Sequence, residues 1–310
     1  MNGYIMSDFC VSTKNLTKQF GDKLALNNLT LTIPQGGIHA IVGSNGAGKS
    51  TLFRLLLGVD TPTSGSCELL GESSSQLSAR VRGQVGYVNE DHTLPGWMKV
   101  SAVKELQQSF YPNWNHEIYN NVIAYFDVDP KQKVSGLSRG ERAGFNLSMA
   151  LAQRPSLLIL DEPTLGLDVV ARQSFLEALM FAETEEAMTT IYCSHQMEEI
   201  ERIAEQLIIM EKGRIINNST PEDFCSRVSC WVADWDAIKV QVGKQKDIIP
   251  GLLSYREIDG QQHILVVDQG DELGEHLQKL GAQDATKLPV NLEKAVNAFL
   301  TTNHNKPVAL

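Results

Sequence analysis

Alternating apolar and polar residues near the start of the chain predict β-strands. Residues 9–33 are predicted to form strands, and Leu29, Leu31 and Ile33 alternate with Thr30 and Thr32 in the two-residue period of a half-buried strand. Gly21-Asp22 predicts a turn that divides this segment into two strands. An apolar run at 38–42 then ends at a glycine-rich loop, and residues 49–57 follow with a helical pattern.

Beyond Gly65, strand-like and helix-like segments alternate until about residue 218. The apolar runs at 157–160 and 207–210 are short enough to be strands buried on both faces. This alternation indicates a mostly parallel sheet covered by helices, so the predicted fold class is α/β. Residues 101–127 are more helical and are expected to form an insert.

The last part of the chain has a different pattern. Asp259-Gly260 separates two apolar stretches and predicts a β-hairpin. Helices are expected at 272–280 and 291–300, with a short strand between them. The chain is therefore predicted to contain a larger domain, residues 1–222, and a small α+β accessory domain, residues 223–310.

The composition narrows the function classes. The 310 residues carry a net charge of -10, and 42% of them are hydrophobic. Because duplex affinity comes mainly from Lys and Arg on phosphates, no nucleic-acid partner is expected. No stretch approaches the roughly 20 apolar residues of a spanning helix, and the N-terminus lacks a secretory signal pattern. The 5 cysteines are scattered without C-x-x-C, so we expect reduced thiols and a cytoplasmic location.

The glycine-rich loop has a sequence with a known physical role. Gly43-Ser44-Asn45-Gly46-Ala47-Gly48-Lys49-Ser50-Thr51 fits G-x-x-x-x-G-K-[ST]. Glycines let the backbone turn its N–H groups inward to hold phosphate oxygens, and the following helix presents its positive end. Lys49 is expected to reach the β- and γ-phosphates, and Ser50 to bind Mg²⁺. A flexible glycine turn is the alternative, but a strand before the loop and a helix after it favour nucleotide binding.

Two acidic residues, Asp161 and Glu162, directly follow the apolar run at 157–160. Ligands bind outside the carboxyl ends of parallel strands, so both carboxylates are expected beside the glycine-rich loop. Asp161 is expected to hold Mg²⁺, directly or through water, and Glu162 to act as the general base on the attacking water. Two acids that merely cap a loop are the alternative.

Three further motifs accompany the acid pair. Leu137-Ser138-Arg139-Gly140-Glu141 precedes a helical stretch, Leu165-Gly166-Leu167-Asp168 follows the acids, and His195 lies 33 residues after Glu162. Each has a simple alternative when taken alone. As the alternative, the serine of the first motif serves only as a helix N-cap, and the glutamate completes a capping box. The aspartate could also be an N-cap, and the histidine an ordinary surface residue.

In this order and spacing the motifs resemble those of the ABC ATPase family over about residues 8–218. GSNGAGKST is similar to its Walker A motif, LLILDE to its Walker B, LSRGE to its signature, LGLD to its D-loop, and His195 to its switch histidine. Phe20 matches the aromatic residue that stacks on adenine. The resemblance implies a P-loop NTPase core with an antiparallel β subdomain and a helical insert, which hydrolyses ATP with Mg²⁺.

The resemblance also implies an assembly. Two such domains pair head to tail, as a homodimer or heterodimer, with two ATP molecules between them. Ser138 and Gly140 of one subunit are expected to contact the ATP held by the other, at the N-terminus of a helix. His195 is expected to bind the γ-phosphate. The implied partner is a membrane permease on a separate chain, so the subunit would lie at the inner face of the membrane.

The chain departs from the family pattern in two places. The usual LSGGQ signature has Arg139 and Glu141 here, although Ser138 and Gly140 are kept. Glu90 stands where the family usually has glutamine near Mg²⁺, and a carboxylate can still bind that ion. The expected catalytic residues are Lys49, Glu162 and His195; the ATP-binding residues are Phe20, Gly43, Ser44, Asn45, Gly46, Ala47, Gly48, Lys49, Ser50, Thr51, Ser138 and Gly140; the metal ligands are Ser50, Asp161 and Glu90.

Two other functions compete with a transporter subunit. A soluble ABC ATPase acting on ribosomes or DNA usually has two ATPase domains or a long coiled coil and a basic surface, which this acidic chain lacks. A phosphotransferase outside the family would leave LSRGE, LGLD and His195 unexplained. The segment Pro289-Val290-Asn291-Leu292-Glu293 resembles one near the end of many exporter-type subunits, so export is the expected direction. The transported substrate is not encoded here, because its site belongs to the permease.

Overall fold

A computed structural model describes residues 9–185, 188–234 and 249–304 of the chain. The chain divides into two compact units, Met1–Asn218 and Ser219–Leu310. The division falls shortly before residue 222, where the sequence predicts the first domain to end. Within the described residues, no helix is long and apolar enough to cross a membrane.

The first unit contains ten strands and seven α-helices among the described residues. The strands are β1 (Phe9–Phe20), β2 (Lys23–Pro34), β3 (Gly37–Val42), β4 (Ser64–Leu69), β5 (Glu72–Ser73), β6 (Val85–Asn89), β7 (Leu157–Asp161), β8 (Thr189–Cys193), β9 (Gln206–Glu211) and β10 (Arg214–Ser219). The helices are α1 (Lys49–Leu56), α2 (Ala79–Arg82), α3 (Val100–Phe110), α4 (His116–Ile123), α5 (Arg139–Ala152), α6 (Val169–Glu185) and α7 (Met197–Ile203).

A four-stranded sheet has the order β2-β1-β4-β5 and is antiparallel throughout. The two strands predicted between residues 9 and 33 form β1 and β2. The segment beyond Gly65 corrects the sequence-based expectation, because β4 and β5 join this antiparallel sheet instead of opening the alternating region. Both are short, and β4 buries only Cys67 and Leu69, so their pattern gives little indication of which sheet they join.

The six-stranded sheet has the order β10-β9-β3-β8-β7-β6, and β6, β7, β8, β3 and β9 pair in parallel. Alternate residues of β7 enter two separate cores. Leu157 and Ile159 pack with residues of α1 and the antiparallel sheet, whereas Leu158 and Leu160 pack with residues of α4, α5 and α6. Burial on both faces explains the uninterrupted apolar run, and the predicted α/β fold class is confirmed.

Helices α3 and α4 form the helical insert expected at 101–127. Trp114 is buried here, tilted against Tyr119 with the ring centroids 5.9 Å apart. Trp97 lies just before the insert and is 78% exposed. The two tryptophans therefore differ, since Trp114 is a packing residue and Trp97 is a surface residue.

The described part of the second unit contains an antiparallel sheet of order β12-β13-β11-β14. The predicted turn at Asp259-Gly260 joins β12 to β13 in the hairpin. The strands are β11 (Val228–Asp234), β12 (Leu252–Ile258), β13 (Gln261–Val267) and β14 (Gln283–Leu288), and the described helices are α8 (Pro221–Arg227), α9 (Glu272–Lys279) and α10 (Leu292–His304).

Candidate active site

The carboxyl ends of four parallel strands meet at one edge of the six-stranded sheet. Asn89, the last residue of β6, is in register with Asp161 at the end of β7, and Asp161 is in register with Cys193 at the end of β8. Cys193 is also in register with Ile41 near the end of β3. The glycine-rich segment, the acid pair and His195 lie at or directly after the ends of these strands. The residues predicted to bind and cleave the nucleotide therefore lie at this edge.

The glycine-rich loop joins β3 to α1, as the sequence predicts. Gly46 and Gly48 have φ of +83° and +107°, which glycine adopts without steric cost. A Cβ at Gly48 would lie only 2.7 Å from the carbonyl oxygen of Ala25. Lys49 is buried at the start of α1, where its ammonium donates a 2.7 Å hydrogen bond to the carbonyl of Gly43. The positive charge of Lys49 therefore lies beside the N-terminus of α1, and the two together favour the binding of a phosphate.

A cavity of about 540 Å³ opens at this edge, and most of the residues predicted to bind ATP or Mg²⁺ line it. Gly43, Ser44 and His195 are not among its lining residues. Phe20 lines the cavity, and the ammonium of Lys18 lies 4.7 Å from the centre of the Phe20 ring. The predicted residues that line the cavity are Phe20, Asn45, Gly46, Ala47, Gly48, Lys49, Ser50, Thr51, Glu90, Asp161 and Glu162; Lys23, Ala25, Arg54, Tyr87, Asn89 and Asp91 line it without having been predicted.

Glu162 has an unusual backbone conformation for its residue type. Its φ is +52°, a left-handed conformation that costs a non-glycine residue roughly 1–3 kcal/mol. The conformation is held by a 2.9 Å hydrogen bond from the Glu162 N–H to the carbonyl of Cys193. The Glu162 carboxylate lies 2.8 Å from Nδ1 of His195. His195 is therefore placed beside the acid pair through this contact.

Negative charge is concentrated at the end of β7. Burial raises the pKa of the Asp161 carboxyl, and the nearby carboxylates of Glu162 and Glu90 raise it further. Ser50 adds a hydroxyl oxygen to the same cavity. Hard oxygen donors of this kind fit Mg²⁺, which is usually bound by one or two carboxylates together with substrate phosphates. No cluster of three or more His, Cys, Asp or Glu in the described part of the chain forms a metal cage on its own.

A buried carboxylate that the sequence analysis missed ties the active-site loops together. Oε2 of Glu199 accepts hydrogen bonds from the hydroxyls of Thr164 at 3.0 Å, Tyr192 at 2.7 Å and Ser194 at 2.8 Å. Arg172 lies 3.4 Å from its other oxygen. Thr164 follows the acid pair and Ser194 precedes His195, so Glu199 joins the two loops that carry Glu162 and His195.

His92 makes a second unpredicted connection. Its side chain is buried, and Nε2 lies 2.8 Å from the carbonyl oxygen of Pro163. Burial lowers the pKa of His92 to about 4, so the ring is neutral and its Nε2–H donates to that carbonyl. The loop that carries Glu90 is thereby joined to the residue that follows Glu162.

The segment Ser138–Glu141 begins α5 with a complete capping box. The Ser138 hydroxyl accepts a 3.2 Å hydrogen bond from the Glu141 N–H, and the Glu141 carboxylate accepts a 2.6 Å bond from the Ser138 N–H. A hydroxyl that accepts such a bond still carries a proton that it can donate. Asp168 similarly caps α6 by accepting a 2.9 Å bond from Ala171. The N-cap interpretation of both motifs is therefore correct.

Ser138 and Gly140 lie away from the phosphate loop. Together with Gly166, Leu167 and Asp168 they line a separate depression of about 390 Å³, which shares no lining residue with the first cavity. The structure thus brings the glycine-rich loop, the acid pair and His195 to one edge but leaves the signature segment elsewhere on the same chain.

Comparison with known proteins identifies the family. The sequence model of the ABC transporter family matches residues 26–165 of the chain. The chain is 30% identical over 301 residues to the Nod factor export ATP-binding protein I of Burkholderia orbicola, covering 93% of this chain and 96% of that protein. It is 31% identical to the hypophosphite import ATP-binding protein HtxD of Stutzerimonas stutzeri, covering 71% of this chain and 69% of that protein.

Solved structures show the same fold. One is an ATP-binding subunit of an ABC transporter, with a TM-score of 0.63, 23% identity, and coverage of 70% of this chain and 92% of that one. Another is the ATP-binding cassette MJ0796 in a dimeric post-hydrolysis state with ADP and Pi, with a TM-score of 0.60, 23% identity, and coverage of 68% and 98%. With the phosphate loop and acid pair at one strand edge, the chain belongs to the ABC transporter family, as an ATP-binding and ATP-hydrolysing subunit.

Proposed function

We propose that MgATP binds in the 540 Å³ cavity and is hydrolysed there with Glu162 as the general base. The observation that carries the proposal is the strand register that aligns Ile41, Cys193, Asp161 and Asn89, because the phosphate loop and the two carboxylates follow these residues at one edge of the sheet. Lys49 donates to phosphate oxygens in place of the Gly43 carbonyl, and Phe20 stacks on the adenine base.

Ser50 and Asp161 are proposed to hold Mg²⁺, with Glu90 as a third oxygen ligand. When bound, the ion supplies positive charge that stabilises the phosphate oxygens during transfer. Glu162 accepts the proton of the attacking water, and its carboxylate is kept in place by the contact with His195. His195 is proposed to hydrogen-bond the γ-phosphate through its second ring nitrogen and so to orient the water.

Two copies are proposed to pair head to tail, so that Ser138 and Gly140 of each complete the site of the other. The support is geometric, since these residues line a depression that is separate from their own nucleotide cavity. The capping box presents the Ser138 hydroxyl at the N-terminus of α5, a 14-residue helix suited to a phosphate.

The pairing is testable with a variant that binds ATP without cleaving it. Glu162→Gln should elute as a dimer with MgATP and as a monomer with MgADP in size-exclusion chromatography with light scattering. Lys49→Ala is the control, since it loses the phosphate contact and should stay monomeric with either nucleotide. An ATP-loaded Glu162→Gln protein that remains monomeric would count against head-to-tail pairing.

The chain is proposed to serve a separate permease at the inner face of the membrane, in the direction of export. Three of the Nod factor export relatives align with 90–93% of the chain and so extend into the second unit, whereas the hypophosphite and sulfate/thiosulfate import relatives cover 71% and 78%. Purification of the chain from its own cells in detergent should recover a multi-spanning membrane protein. Recovery of ribosomes or DNA in its place would favour the soluble class of ABC ATPase.

A further inference from the structure

The second unit contains a cavity that shares no lining residue with the proposed nucleotide cavity. Its volume is about 570 Å³, close to that of the nucleotide cavity. One side is formed by β12 and β13 and the other by α10. The lining residues are Ser254, Arg256, Ile258, His263, Leu265, Asn291, Glu293, Lys294, Asn297, Ala298 and Thr301.

The strand register places two basic side chains together on the cavity floor. Arg256 of β12 is directly opposite His263 of β13 in the antiparallel pair, so their Cβ atoms lie on the same face. The opposite face, which includes Tyr255 and Ile264, packs with Trp231 and the apolar side of α9. One face of the sheet therefore builds the core, and the other presents polar groups.

Helix α10 adds a third basic group from the other side. Lys294, Asn297 and Thr301 follow the spacing of one helical face and all line the cavity. The ammonium of Lys294 lies 3.3 Å from Sγ of Cys230, a fully buried residue of β11. Lys294 is exposed, but this contact directs its ammonium toward the sheet that forms the other side of the cavity.

The basic groups of the cavity are not neutralised by acids within the described residues. Arg227 and Lys287 of the same unit form salt bridges with Asp268 and Asp271, but Arg256 and Lys294 form none in the described part. Glu293 is the one acidic residue of the lining. Arg256 and Lys294 against the single carboxylate of Glu293 leave a surplus of positive charge, which favours an anion.

A buried polar atom without a partner supports the same conclusion. Nδ1 of His263 is buried and makes no hydrogen bond to any described residue. Buried polar groups in folded proteins are nearly always hydrogen-bonded, so this atom is suited to a ligand that supplies the missing partner. A ligand carrying both an anionic group and a hydroxyl or further oxygen would pair with Arg256, Lys294 and His263 together.

The size and apolar lining indicate an organic anion. Pockets for small organic molecules typically enclose about 300–1,000 Å³, which is far more than an inorganic phosphate ion fills. Ile258, Leu265 and Ala298 provide apolar surface beside the basic groups. We propose that the cavity between β12, β13 and α10 is a binding site for a small organic anion, a carboxylate or sulfonate on an apolar body.

The test uses two aromatic probes of similar shape with the full-length chain and MgADP present to occupy the nucleotide site. The anionic probe is 8-anilinonaphthalene-1-sulfonate, and the neutral one is N-phenyl-1-naphthylamine. Fluorescence titration should find one saturable site for the sulfonate. Lys294→Met and Arg256→Met should each weaken it by about tenfold, the loss expected when a charge-assisted hydrogen bond is removed.

Lys279→Met is the matched control, because Lys279 is an exposed residue of α9 outside the cavity lining. Asn297→Trp should also abolish binding by filling the cavity without removing a charge. Urea unfolding of each variant identifies any loss of fold, and Arg256→Met carries the test if Lys294→Met is unstable. Equal affinities of Lys294→Met and Lys279→Met, or a neutral probe that binds as tightly as the sulfonate, would overturn the proposal.

Discussion

The two cavities of this chain have nearly equal volumes but are built in different ways. The nucleotide cavity takes seven of its lining residues from one continuous segment, Asn45–Thr51, and its glycines adopt conformations that few other residues tolerate. The cavity of the second unit is lined by side chains from two strands and a helix, and Arg256, His263 and Lys294 meet only through register and packing.

This difference explains why one site was predicted and the other was not. A backbone nest for phosphate needs particular residue types at fixed spacing, so it leaves a motif in the sequence. A cluster of ordinary basic side chains on a half-exposed sheet leaves none, because many sequences place such residues on a surface. The comparison predicts that each unit can be altered without changing the chemistry of the other.

The largest effect on the stability of the first unit is expected from substitution of Glu199, whose carboxylate joins the loops that carry Glu162 and His195. Glu199→Ala leaves the hydroxyls of Thr164, Tyr192 and Ser194 without their acceptor. Removing one member of a buried charged network typically costs about 3–5 kcal/mol. We expect the free energy of unfolding in urea to fall by about that amount, with a loss of ATP turnover.

The neighbouring Glu198 is exposed and supplies a matched control for the same substitution. Glu198→Ala should leave the free energy of unfolding within about 0.5 kcal/mol of the wild type. Equal stabilities of the Glu198 and Glu199 variants would mean that the buried network does not support the site.

A smaller effect is expected at Glu90, where the structure sharpens the sequence-based prediction. Asn89, Glu90 and Asp91 all line the nucleotide cavity, so the metal-proximal position could belong to a neighbour of Glu90. Glu90→Ala should slow ATP turnover by about tenfold with little change in ATP affinity, and Glu90→Gln should remain active. If Asp91→Ala slows turnover and Glu90→Ala does not, Glu90 has been assigned the wrong role.

The smallest effect is expected from removing the second unit. Every residue that lines the nucleotide cavity precedes residue 163. A chain of residues 1–220 should therefore bind a fluorescent ATP analogue with an affinity within about twofold of the full chain, as distant sites usually behave independently. A loss of affinity in a truncated chain that keeps its helical circular dichroism would contradict the claim that ATP binding does not depend on the second unit.

The parts of the fold that could be predicted share a local cause. Strand β2 was predicted from two-residue periodicity, β7 from an uninterrupted apolar run, and the cap at Ser138 from its spacing to Glu141. Each signal lies within a few consecutive residues. The roles assigned to Lys49, Glu162 and His195 remain predictions, although the structure places all three at one edge.

The parts that could not be predicted depend on contacts distant in sequence. Thr164 and Glu199 are 35 residues apart, and His92 and Pro163 are 71 apart, so no local pattern links either pair. Strand β4 is short and pairs with β1, which lies far earlier in the chain, and periodicity cannot reveal that pairing. Such long-range pairings become visible only once the strand order and register are known.

The central claim is that Glu162 activates the water that cleaves ATP bound at the end of β7. The direct measurement is the ATP turnover of Glu162→Gln, with ATP affinity measured in parallel. General-base catalysis is typically worth about 10²- to 10⁴-fold, so turnover should fall within that range while affinity stays near the wild-type value. Turnover close to the wild-type rate would contradict the claim and remove Glu162 as the base.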